Sequence, residues 1–165
     1  MANELRSPIV LDATVFLKLA VTDDFGRLDA LSARFVTVEA VTDEVRAGLE
    51  AGYDHLDRAI GATDVIAVEN EPGSNVLDHL DRGESYALTA ARECSGTLAT
   101  DDRPARELAA ERGIKLTGSV GILVRLVLHD ELSVSEADAV LERWIDEARY
   151  RSPVESVREV LERDE

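Results

Sequence analysis

At 165 residues the chain has room for one domain with a real core, and a 45% hydrophobic, 4% aromatic composition predicts an Ala, Val and Leu interior while excluding a disordered chain. Asp plus Glu number 34 against 18 Lys plus Arg, a formal net charge of −16 with Lys18 and Lys115 as the only lysines, which excludes the broad basic footprint on which phosphate binding ordinarily rests. Cys94 is the only cysteine, so no intramolecular disulfide can form, and no apolar run is long enough to span a bilayer.

Along the chain, short β-type runs alternate with helical patterns. Residues 8–12 read as a buried first strand ending in Asp12. Residues 35–38 form a second strand, after which Thr42 is placed to cap a helix running towards Ile60, with Glu44 at its opening. Residues 65–68 make a third strand, and Glu84, after Gly83, opens a helix that reaches Cys94 as a small apolar filler. Residues 96–100 are a fourth strand closed by Asp101 and Asp102. Pro104 suits the first turn of a helix ending at Gly113, residues 114–117 are a fifth strand, and 118–128 are a strongly apolar helix. Ser133 with Glu136 and Ser152 with Glu155 have capping-box spacing, predicting helices over 134–149 and 153–163. Val154, Val157, Val160 and Leu161 give the last one an apolar stripe, read as packing on its own domain or as a dimer contact. This alternation predicts a three-layer α/β/α fold around a parallel sheet of about five strands, over residues 1–132, with a helical extension over 133–165 on the same domain.

In such a sheet, ligands bind beyond the carboxyl ends of the strands, where the strand order switches direction. Asp12, Glu44, Glu84, Asp101 and Asp102 all fall at strand-to-helix junctions, so one rim can gather them. Each has a plainer role available: Asp102 as a helix cap, Glu44 and Glu84 as partners of helix dipoles. Asp12 resists that treatment, because an acid ending an apolar strand suffers desolvation unless something pairs with it. A rim of oxygen ligands suits Mg²⁺ or Mn²⁺, one ion or two, and metal-assisted phosphodiester hydrolysis. A cation would also resolve the charge conflict locally, sitting between carboxylates and phosphate. The acid excess with almost no lysine fits solubility in a salty cytoplasm, where screening is short-ranged. No glycine-rich phosphate loop occurs, and His55, His79 and His129 lack ligand spacing to one another.

The segments around Asp12-Ala-Thr14, Thr42-Asp-Glu44, Arg82-Gly-Glu84, Thr100-Asp-Asp102-Arg103 and Thr117-Gly-Ser119, in that order, resemble PIN domains over residues 9–132. They look most like the VapC-like prokaryotic branch with Gly-Glu-Ala and Asp-Asp-Arg motifs. The resemblance implies a cytoplasmic, metal-dependent endoribonuclease acting on RNA, with Asp12, Glu44, Glu84 and Asp102 as the catalytic, metal-holding acids and Asp101 as a fifth ligand. It further implies supporting roles for Thr14, Thr100 and Ser119, although capping the 118–128 helix is the plainer role for Ser119. Arg103 and Arg106 become phosphate contacts or partners of surface acids. An antitoxin partner, as in toxin–antitoxin pairs, and a homodimer are implied by the family alone. This chain has Tyr86 where some relatives carry another acid, which weighs against a second ion. A competing reading is a PIN-like module that binds RNA or a protein partner without catalysis.

Overall fold

The computed structural model describes residues 5–49 and 55–163. Strands β1 (Ile9–Leu11), β2 (Phe35–Val38), β3 (Asp64–Ile66), β4 (Thr97–Ala99) and β5 (Lys115–Thr117) form one parallel sheet in the order β3-β2-β1-β4-β5. Helices α1 (Ala13–Val21), α2 (Glu39–Leu49), α3 (His55–Ala62), α4 (Ser74–His79), α5 (Arg82–Glu93), α6 (Arg103–Glu111), α7 (Ser119–Leu128), α8 (Val134–Glu147) and α9 (Arg158–Arg163) flank it, with a 3₁₀ turn at Phe25–Ala30. This is the expected three-layer α/β/α arrangement.

The strand sequences explain their places. Ile9, Val10 and Leu11 are wholly buried, as a central strand covered on both faces requires, whereas Asp64, Val65 and Lys115 are exposed on the edge strands β3 and β5. β1 pairs with β2 through Ile9 and Phe35 and with β4 through Ile9 and Thr97, so Asp12 and Thr100 leave adjacent strands at the same height. The chain runs from β1 to β2 and β3 on one side, then crosses to β4 and β5 on the other. The switch point therefore lies between β1 and β4, where ligands of such sheets bind.

Several boundaries differ from the sequence reading. α2 begins at Glu39, directly after β2, so Thr42 lies within the helix and donates its hydroxyl to the Glu39 carbonyl at 3.0 Å. Glu44 accordingly sits in the second turn and does not open the helix. The expected continuation towards Ile60 crosses residues 50–54, which lie outside the described residues. α5 begins at Arg82, two residues before Glu84, because Asp81 caps it. The Ser133 capping box forms as expected, while the one at Ser152 does not. There the Ser152 hydroxyl accepts from Val154 N at 3.2 Å, and Asp138 of α8 takes Val157 N at 2.8 Å and the Ser156 hydroxyl at 2.7 Å. Burial of Val154 and Val157 holds the segment irregular until α9 starts at Arg158. Local capping propensity loses to tertiary burial at that point. Among the described residues no helix is long and apolar enough to cross a membrane.

Candidate active site

Asp12 is 0% exposed and caps α1, accepting from Val15 N at 3.1 Å. Thr14 donates its hydroxyl to Oδ1 at 2.6 Å, and the Thr100 hydroxyl donates to Oδ2. The same two hydroxyls accept backbone amides from the β4–α6 junction, Asp101 N on Thr14 and Asp102 N on Thr100, both at 3.1 Å. Two threonines thus fix the height of three aspartates relative to one another. Burial raises the Asp12 carboxyl to about 6, with the Thr100, Thr14 and Val15 donors pulling the other way. Asp102 caps α6 through Ala105 N at 3.0 Å, so its plainer reading holds without removing it from the rim.

Asp101 is engaged on every side. Lys18 donates to Oδ2 at 2.7 Å, with both side chains below 10% exposure. Ser119 gives its N–H to Oδ1 at 2.8 Å and its hydroxyl to Oδ2. Ser119 is therefore not the cap of α7; Asp101 supplies that function from the neighbouring strand end, over Gly118, where a side-chain methyl would sit 2.7 Å from Asp101 Oδ1. The Tyr150 ring packs over Lys18 beside Asp101, and burial followed by the Asp101 charge raises the Tyr150 pKa far above the ordinary phenol value. Lys18 Nζ lies 4.2 Å from the Tyr150 ring centroid, and its own carbonyl accepts Trp144 Nε1 at 2.7 Å. The end of α8 and the residues after it thereby grip α1 at the level of the site.

The other acids arrive on helices. Asp81 caps α5, accepting from Glu84 N at 2.8 Å, and Glu84 Oε2 accepts from Asp81 N at 3.3 Å, a long bond that completes a capping box. Glu44 is exposed overall, yet its carboxylate is turned onto Gly83: a Cβ there would fall 2.5 Å from Glu44 Oε2. Glycine at 83 leaves the Glu44 carboxylate its place against α5. Burial, then the charges of Asp102 and Asp81, then Asp12, raise Glu84 to about 7. Glu44 is raised by burial and by Asp81 and Asp12.

Asp12, Glu44, Glu84 and Asp102 thus lie near enough to act on one another's protons, with Asp81 among them. Position after a strand could not single out Asp81; the Asp-x-x-Glu capping pattern at 81–84 was the available signal. Lys18 could have been noticed as the one charge in an otherwise apolar α1. Arg106 donates to the Thr100 carbonyl at 2.9 Å, bracing the loop, and Arg103 pairs with Glu107 at 3.0 Å on the surface.

The donor set is all oxygen, and the nearby cations are spent elsewhere, Lys18 on Asp101 and Arg82 on Asp43 at 3.4 Å. As the side chains stand, no three of His, Cys, Asp or Glu among the described residues close on a point that could hold an ion. The residues nevertheless fit a divalent cation in chemistry. Crowded carboxylates with raised proton affinity are what such an ion relieves.

A family model described as a PIN domain matches residues 8–165. The crystal structure of PAE2754 from Pyrobaculum aerophilum is similar at 17% identity, with a TM-score of 0.55, covering 74% of this chain and 98% of that one. A domain of a functionally unknown protein from Methanocaldococcus jannaschii has 22% identity and a TM-score of 0.47, covering 67% of this chain and 89% of that one. No curated protein matches the chain.

Proposed function

Because this chain belongs to the PIN-domain family, whose members are generally nucleases, we propose that it is a divalent-cation-dependent endoribonuclease hydrolysing RNA phosphodiester bonds. Asp12 and Asp102 would hold Mg²⁺ or Mn²⁺ from the strand side and Glu44 and Glu84 from the helix side. The observation that carries this reading is the convergence of acids from separate stretches of chain on one rim. Asp12 and Asp102 share the Thr100 hydroxyl, and Glu84, capped by Asp81, has its carboxyl pushed up by burial and then by the charges of Asp102, Asp81 and Asp12.

A divalent ion in this rim supplies Lewis-acid chemistry, acidifying the attacking water and offsetting charge on the phosphate. The chain's own part is placement. Thr14 and Thr100 leave Asp12 no freedom to rotate, since each carboxylate oxygen already accepts a hydroxyl. Asp101 is better read as a positioning residue than as a ligand, because it alone among these acids is already neutralised by a buried cation, Lys18, and it holds Ser119 through both oxygens. Arg106 holds the Thr100 carbonyl, which keeps Asp102 at the rim, so its part is structural. Burial beside the sheet ends lowers the local dielectric and strengthens each of these charge interactions.

The test compares turnover of a structured RNA in Mn²⁺ by wild type and Asp12→Asn, with ion binding by calorimetry. Cleavage by wild type alone, with weakened ion binding in the variant, is the expected result. Equal behaviour of the two proteins would remove the proposal.

A further inference from the structure

Beside the acidic rim, at the carboxyl ends of β2 and β3, lies a second pocket of about 360 Å³, at the small end of the range that takes small ligands. Its floor is apolar, made by Val38, Ile66 and Val68, with Val65 49% exposed at its lip. Part of its lining is aromatic and cationic: the Arg82 guanidinium carbon lies over the Tyr86 ring, 5.3 Å from its centroid, within cation–π range. Asp43 holds that guanidinium by an exposed ion pair at 3.4 Å. The lining also includes Glu39, whose carboxylate can only accept hydrogen bonds when ionised. Arg82 and Ala40 also line the shallow depression that contains Glu44, Asp81 and Gly83, so the pocket is continuous with the rim.

An apolar slot with an aromatic–guanidinium lining matches an unpaired nucleobase, which stacks on such surfaces whatever its identity. Arg82, at the seam between slot and rim, is placed to meet the phosphate next to that base. Glu39 then discriminates. Adenine, cytosine and guanine offer it an exocyclic amino group, whereas uracil offers only its ring N3–H. Resting on the nuclease reading, we propose that this pocket is a base subsite. It holds one unstacked nucleobase of the substrate strand beside the scissile region, on Tyr86 and Arg82, and Glu39 favours amino-bearing bases over uracil.

The experiment measures fluorescence anisotropy of short labelled oligonucleotides of A, C or U with the full chain in Ca²⁺, and cleavage of mixed-sequence RNA in Mn²⁺. A and C should bind more tightly than U, and Tyr86→Ala should weaken A and C by roughly tenfold or more. Tyr86→Phe keeps the ring, and the Tyr86 hydroxyl makes no hydrogen bond among the described residues, so it should bind within about threefold of wild type. Arg82→Gln should weaken all three oligonucleotides, while Glu39→Gln should erase the preference against U. Cleavage positions should shift in the Tyr86→Ala protein. Cleavage by wild type with no dependence on Tyr86 in binding or in cut position overturns the subsite and leaves the nuclease standing. Tyr86-dependent binding without turnover does the reverse. Self-association that Tyr86→Ala weakens, with oligonucleotide binding unchanged, would make the pocket a protein contact and overturn the subsite, and no binding at all overturns it too.

Discussion

The two halves of the acidic rim are built on opposite plans. On the strand side, Asp12, Asp101 and Asp102 are tied by Thr14, Thr100, Ser119 and Lys18 into a network in which the buried carboxylate oxygens have fixed partners. On the helix side, Glu44 and Glu84 have a glycine surface, one long capping bond, and the charges of Asp81 and Asp12 acting on both. The difference teaches where preorganisation resides. The strand half is set by folding itself, whereas the helix half, under the proposed function, is the part a cation would complete, since among the described residues the carboxylates do not close on a point by themselves.

That contrast can be broken first at Asp12. Asp12→Asn keeps the shape and removes the charge, so RNA turnover should fall by roughly a thousandfold, the scale on which a transition-state contact is lost. Because burial raises this carboxyl, the metal-free variant should melt a few degrees above wild type at pH 8, by circular dichroism. A lower melting point would show that Asp12 is a structural acid.

Lys18 gives the next largest effect. Lys18→Met retains the stem but leaves Asp101 buried without its cation, at a cost of about 3–5 kcal/mol. For a domain of this size that lowers Tm by about 10 °C, and turnover at a temperature where the variant is folded should still drop through displacement of Asp102. Full activity in the folded variant would separate the Lys18 network from the site.

The pH dependence sharpens the comparison. Unfolded carboxylates titrate near 4, whereas folding raises Asp12 to about 6 and Glu84 to about 7. Between those values the folded state keeps protons that the unfolded state releases, so stability is full below about 4 and falls as pH rises towards 7. Metal-free protein should therefore melt lower at pH 8 than at pH 5, and Mn²⁺ should recover the loss at pH 8 only. A flat profile in thermal melts would contradict the raised carboxyls.

Gly83→Ala has the smallest effect and addresses the helix half alone. The added methyl meets Glu44 Oε2, the end of a flexible side chain, so the fold yields little and Tm should move by about a degree or two. Calorimetric Mn²⁺ affinity should weaken several-fold, because Glu44 must leave its place. Unchanged affinity would remove Glu44 from the ligand set.

The amino-acid sequence by itself determined the strands, because runs such as Ile9-Val-Leu11 and Phe35-Val-Thr-Val38 carry β-branched and apolar residues that only a covered sheet can bury. It also determined that Asp12 follows β1 and the Asp101–Asp102 pair follows β4, since these acids lie within a few positions of their strands. Tertiary structure alone decided the rest. The second capping pattern at Ser152 is as regular as the one at Ser133, yet Val154, Val157 and Asp138 override it from elsewhere in the fold. Asp101 and Asp102 are neighbours of identical chemistry, and only the arrival of Lys18, Ser119 and Tyr150 on Asp101 divides their roles. Helix propensity and strand pattern act between residues a few positions apart, while the identity of a carboxylate's partner is fixed by elements farther along the chain, from 18 positions for Ser119 and Asp101 to 83 for Lys18 and Asp101.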